Sequence, residues 1–164
     1  TAKQEVVQNL WDESGRGNPL DAHTTMYERI TSKLIPGFNP KDTLRCLEFE
    51  ALAGSNLFAY LGLRRINFYR YLGCLAATEI MVPRQDVKWL VGVKSIALDK
   101  EVDLTYYSEH ATIDIAHAAG WLDHVMTPMA NASKEIETEM LIGVMMRLNT
   151  CSDYYNMLME KLDP

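Results

Sequence analysis

Tyr106-Tyr107-Ser108-Glu109-His110-Ala111-Thr112-Ile113-Asp114-Ile115-Ala116-His117 is the stretch on which the reading of this chain turns. At about 100° per residue, positions 110, 114 and 117 fall within about 60° of one another on a helix. One face then carries His, Asp and His in consecutive turns. Ala111, Ile113, Ile115, Ala116 and Ala118 flank that face, which fits a polar stripe turned inward against other helices. A His–Asp pair four residues apart is also an ordinary hydrogen-bonded core pair. A third member in register shifts the balance towards a bound metal. Imidazole and carboxylate without thiolates at zinc spacing suit iron or manganese.

Outward from this stretch, hydrophobic periodicity predicts helices nearly throughout. They are expected over 2–14, 20–34, 42–61, 64–81, 85–98, 104–125 and 131–161. Gly15-Arg16-Gly17-Asn18-Pro19 and Pro36-Gly37 break the chain between the first three. Pro83 is expected to close the fourth helix, and Thr127-Pro128 the sixth. Inner-face candidates are Leu20, His23, Met26, Tyr27 and Ile30 in the second helix, and Trp89, Leu90 and Val93 in the fifth. No strand pattern competes. The whole chain, residues 1–164, reads as a single all-α domain.

The composition narrows the function. With 16 basic and 22 acidic side chains the formal charge is -6, the wrong sign for general nucleic-acid binding. No apolar run is long enough to span a membrane, and no signal peptide is expected. Cys46, Cys74 and Cys151 are an odd set without metal spacing. They read as small buried side chains in a reducing compartment, which points to the cytoplasm.

A metal pair needs further carboxylates from facing helices. Glu79 stands in an apolar and small-residue run, Leu75-Ala76-Ala77-Thr78-Glu79-Ile80-Met81. It is either a helix-end residue near Pro83 or a buried ligand. Glu13 and His23 form a second pair across the Gly-rich turn. Glu13 alone would also serve to solvate its helix end, and His23 to fill a core. Glu48 and Glu50 cannot both face inward. Tyr106, Tyr107 and Trp121 are the aromatic residues nearest the ligands. His124 continues the seven-residue spacing and is expected to be a core or substrate-facing histidine.

With these residues in place, the chain resembles the haem-oxygenase-like diiron oxidases and oxygenases, also described as iron-containing redox enzymes. His110, Asp114 and His117 match that family's His-x3-Asp-x2-His pattern. Glu79 stands where the family has a ligand Glu before it, and Glu13 with His23 match its Glu, Gly-rich turn, His arrangement. The resemblance spans about positions 9 to 125. It implies a haem-oxygenase-like helical bundle and six metal ligands here: Glu13, His23, Glu79, His110, Asp114 and His117. It implies two irons per site, with manganese as the alternative, and O2 as co-substrate. The family has one more ligand Glu on an earlier helix, farther upstream than Thr1 reaches. The bundle is therefore expected to be incomplete at its N-terminus, with the missing helices in the same or a separate chain.

The function so implied is O2-dependent oxidation of a small amino-acid-derived or fatty-acid-like metabolite, by N-oxygenation or oxidative C–C cleavage. The expected partners are a small-molecule substrate and a second copy in a homodimer, with no nucleic acid and no membrane. Two alternatives stand beside it. One is a cofactor-free hydrolase resembling thiaminase II, with a Cys nucleophile. The other is a non-enzymatic helical interaction protein with a vestigial metal face.

Overall fold

The computed structural model describes residues 1–37, 39, 45 and 47–162. Among them are seven α-helices and no strand: α1 (Ala2–Glu13), α2 (His23–Leu34), α3 (Phe49–Gly62), α4 (Phe68–Ser95), α5 (Thr105–Gly120), α6 (Thr127–Ala132) and α7 (Lys134–Leu162). Short 3-10 turns cover Arg65–Asn67 and Leu98–Lys100. A wide π-helical turn, Trp121–Met126, follows α5 directly. No helix among the described residues is long and apolar enough to cross a membrane.

The departures from the expected boundaries have local causes. α2 begins at His23 rather than 20, because the Leu20 N–H donates to the Asn18 side chain at 3.1 Å and commits those residues to a turn. Of the helix expected from 42, positions 42–44 and 46, and with them Cys46, lie outside the described residues. Pro83 does not end a helix: α4 runs through it as one element of 28 residues. The proline forfeits a single bond to the Glu79 carbonyl. Glu79, Pro83, Asp86, Leu90 and Val93 keep a buried or half-buried side continuous across it. Trp89 lies off that side and is exposed, against expectation. Pro128 likewise breaks nothing, since it sits in the first turn of α6, where no N–H is required. Ser133 accepts the Glu135 N–H at 3.2 Å at the start of α7, and Glu135 and Glu137 fill its first turn.

The chain forms two compact units. The first comprises Thr1–Phe38 and Glu79–Val125. In it α2 packs against α5, and Met26, Ile30, Val93, Val102, Trp121 and Val125 are buried. Leu20 and Tyr27, expected inside, are exposed, and α1 turns Val7, Leu10 and Trp11 outward. The second unit comprises Asn39–Thr78 and Met126–Pro164. There α3 lies along α7, over a core of Leu57, Leu61 and Cys74 with Phe58, Tyr71 and Met146 against it. The first turns of α4 cross α7 at two glycines. A Cβ on Gly73 would come within 2.0 Å of the Met140 carbonyl oxygen, and one on Gly143 within 1.9 Å of the Arg70 carbonyl oxygen.

Candidate metal centre

All six residues singled out in the sequence lie in the first unit. Gly15, Arg16 and Gly17 occupy the left-handed region in succession, with φ of 80°, 53° and 91°. A side chain at Gly15 would bring its Cβ within 2.3 Å of the Asn18 carbonyl oxygen, so only glycine fits there. This tight reversal returns the chain so that the Glu13 carboxylate meets the first residue of α2: Glu13 Oε2 lies 2.7 Å from His23 Nδ1.

α5 presents His110, Asp114 and His117 as the sequence predicts, with exposures of 7%, 2% and 4%. His110 Nδ1–H donates to the Tyr106 carbonyl at 2.8 Å. A carbonyl only accepts, so Nδ1 carries the proton and Nε2 is left as a lone-pair donor. His117 is ringed by carboxylates. Its Nε2 lies 3.2 Å from Asp12 Oδ2, and its Nδ1 lies 3.3 Å from Asp114 Oδ1 and 3.4 Å from Glu79 Oε2. The Asn9 amide stands 3.1 Å from the same Nδ1. Glu79 therefore points inward.

Two groups of ligand atoms lie mutually within 4.8 Å: Glu13, His23 and His110, and Glu13, Asp114 and His117. Either group could hold a metal ion, and Glu13 is common to both. A carboxylate has two oxygens and can serve two ions at once. The donor atoms suit iron, which takes imidazole and carboxylate together. The polar bookkeeping points the same way. His23 Nε2, Asp86 Oδ2 and Trp121 Nε1 are buried without a hydrogen-bond partner, and Glu79 Oε2 and Asp114 Oδ1 have no well-aligned bond, only the approach of His117 Nδ1 at 3.4 and 3.3 Å. Each such group costs about 1–3 kcal/mol when left unpaired. Of these, His23 and Asp114 each belong to one of the two ligand groups, where a divalent cation would satisfy them.

The electrostatics follow from the crowding. The Asp114 and Glu79 carboxylates beside Nδ1 outweigh burial and raise His117 to about 10. Burial pushes His23 down, but the bond and charge of Glu13 prevail and hold it above its ordinary value. Burial would raise Asp12, yet bonds from Gln8, His117 and Arg16 keep it below the usual carboxylate range. Burial lifts Asp86 to about 6 despite the pull of His110.

Sequence reasoning missed Asp12, Asp86 and Glu109. Asp86 lies seven residues after Glu79, a spacing that could have revealed it. Asp12 was hidden by its neighbour Glu13, because adjacent helical residues do not share a face. Glu109 Oε2 lies 3.6 Å from His23 Nε2, beyond hydrogen-bond reach. His124 is not a core residue: it is exposed, with Nδ1 2.8 Å from Glu5 Oε2. Trp121 is buried, and Tyr106 packs on His110 and His23 with centroid distances of 4.2 and 5.9 Å. Glu48 is exposed and pairs with Lys161. Cys74 is fully buried and burial pushes its thiol up to about 11, while Cys151 is half-buried.

The family model for iron-containing redox enzymes matches residues 1–151. A curated relative, nitrosourea synthase of Streptomyces achromogenes subsp. streptozoticus, is 28% identical over 134 residues, or 80% of this chain. The chain spans 28% of that relative's length. The all-helical fold, the two ligand groups around Glu13 and a match over most of the sequence agree: the chain belongs to the haem-oxygenase-like family of iron-containing redox enzymes.

Proposed function

We propose that Glu13, His23, Glu79, His110, Asp114 and His117 hold two irons, and that the chain is the metal-binding part of an O2-dependent oxidase or oxygenase of small metabolites. The observation that carries this reading is the sharing of Glu13 by two ligand groups. Iron bound there would supply O2 activation and the redox step. The protein's own work is to hold and orient. Glu13 spans the two groups, and His110 is fixed by the Tyr106 carbonyl so that Nε2 faces the centre. Asp12 anchors the far nitrogen of His117.

Of the two substrate classes, the relative's name favours an amine-type nitrogen. A nitrosourea carries an N-nitroso group, and making one requires nitrogen to be oxidised. An apolar trough of about 520 Å³ supports the fatty-acid-like class instead. It is lined by Ile80, Pro83, Val87 and Ile115, with Arg84 and Lys88 to meet an acidic head. Manganese would fit the same donors, and a homodimer remains part of the proposal. A hydrolase using Cys74 draws no support from a thiol so buried and so weakly ionised.

Metal analysis of the protein loaded anaerobically with ferrous iron tests the reading. Two irons per chain are expected, falling to one or none in Asp114→Ala with helix content retained. A parent protein that takes up no iron would leave the non-enzymatic alternative standing.

A further inference from the structure

Five aromatic side chains of the first unit form a connected series that ends at the metal ligands. Trp89 of α4 stacks on Tyr107 of α5, with centroids 5.9 Å apart and planes inclined by 16°. Tyr107 meets Tyr106 edge-on at 5.2 Å. Tyr106 in turn lies 4.2 Å from the His110 ring, which is 4.3 Å from the His23 ring. The inner end is buried, while Trp89 is 55% exposed. Offset and edge-on contacts are ordinary aromatic packing, but a chain of oxidisable rings from a redox centre to the surface has a second property. Each ring gives up an electron far more readily than the aliphatic side chains around it. One long electron transfer becomes a few short ones.

We propose that Tyr106, Tyr107 and Trp89 form an electron-transfer path that drains an oxidising equivalent from the metal centre to the protein surface when no substrate is there to consume it. This rests on the reading of the site as an iron centre. The oxidant would be iron held by the ligands above once dioxygen had oxidised it, and it would gain one electron. Trp89 loses that electron, and its indole N–H proton passes to solvent. Any phenolic proton displaced during a hop returns with the next electron, so Tyr106 and Tyr107 end unchanged. The neutral indolyl radical left at Trp89 is exposed, and an external thiol restores it by giving one electron and one proton. The path spares His23 and His110, which would otherwise be the nearest oxidisable groups.

Trp11 is the internal control. It is 52% exposed, nearly as open as Trp89, and among the described residues it stacks on no other ring. The iron-loaded protein is exposed to dioxygen without substrate or thiol, in the presence of catalase and a nitroso spin trap. The trap adds covalently to a carbon-centred radical, and peptide mass spectrometry locates the adduct. An adduct at Trp89 well above that at Trp11 is expected, and it should fall to the Trp11 level in Tyr107→Phe, whose iron content and helix content match the parent. Equal labelling of the two tryptophans, or Trp89 labelling that survives Tyr107→Phe, overturns the path while leaving the iron site intact. A parent protein without iron overturns the site and the path together.

Discussion

His117 has three carboxylates within 3.4 Å, and in the metal-free protein a proton does part of what a cation would. That proton is held to about 10, chiefly by the Asp114 and Glu79 carboxylates, against an ordinary value of 6.5. A folded value above the unfolded one stabilises the fold fully below about pH 6.5, and that stabilisation is lost as pH rises through about 10. Thermal melts of the metal-free protein should therefore decline over this window, and those of His117→Gln should decline less. Iron held by His117, as proposed, would have to expel the same proton, so its affinity should climb with pH across the same range. His110, Asp114 and His117 were legible because helical periodicity alone puts them on one face. Glu79, Glu13 and His23 needed the family pattern as well, since no local rule says which of several acidic residues turns inward. Asp12 escaped because its partner, His117, lies 105 residues away.

The crossing of α4 and α7 shows how an element can hide its most demanding positions. A glycine within a helix need not be close-packed: a Cβ on Gly54 of α3 would meet only the tip of Arg147 at 3.9 Å. The glycines that matter are Gly73 and Gly143, each set against a backbone carbonyl of the other helix. Alanine is the better helix former by about 1 kcal/mol, but here the clash decides the sign, because backbone cannot swing aside. Gly73→Ala and Gly143→Ala should each cost about 1–3 kcal/mol, read from urea or thermal unfolding. Gly54→Ala should cost nothing. The same scale explains why Pro83 misled. A proline is locally a stop signal, but one lost hydrogen bond is small beside a buried side that runs on past it.

Across the whole molecule, the candidate ligands all belong to one unit, while the second holds its own apolar core around Leu57, Leu61 and Cys74. Metal should therefore stabilise the chain unevenly. Chelation is expected to raise hydrogen exchange along α5 (Thr105–Gly120) and at the α1–α2 turn, and to leave the middle of α7 near its loaded value. Equal loss of protection everywhere would mean that the metal supports both units alike. The helical class was readable at this scale because strongly periodic segments fill the sequence. The division into two units was not, since α4 contributes residues to each and carries no break where one ends and the other begins.

The wide turn at Trp121–Met126 has a bearing on how far a helical count can be trusted. Its i→i+5 bonding takes up more residues per turn than an α-helix, so the facial spacing of α5 does not carry through Trp121–Met126. Counting sevens from His110 through His117 arrives at His124, yet that ring faces outward to Glu5. The turn works as a change of thread: a count by sevens that holds up to Gly120 expires there, and the residues of Trp121–Met126 must be read by a count of their own.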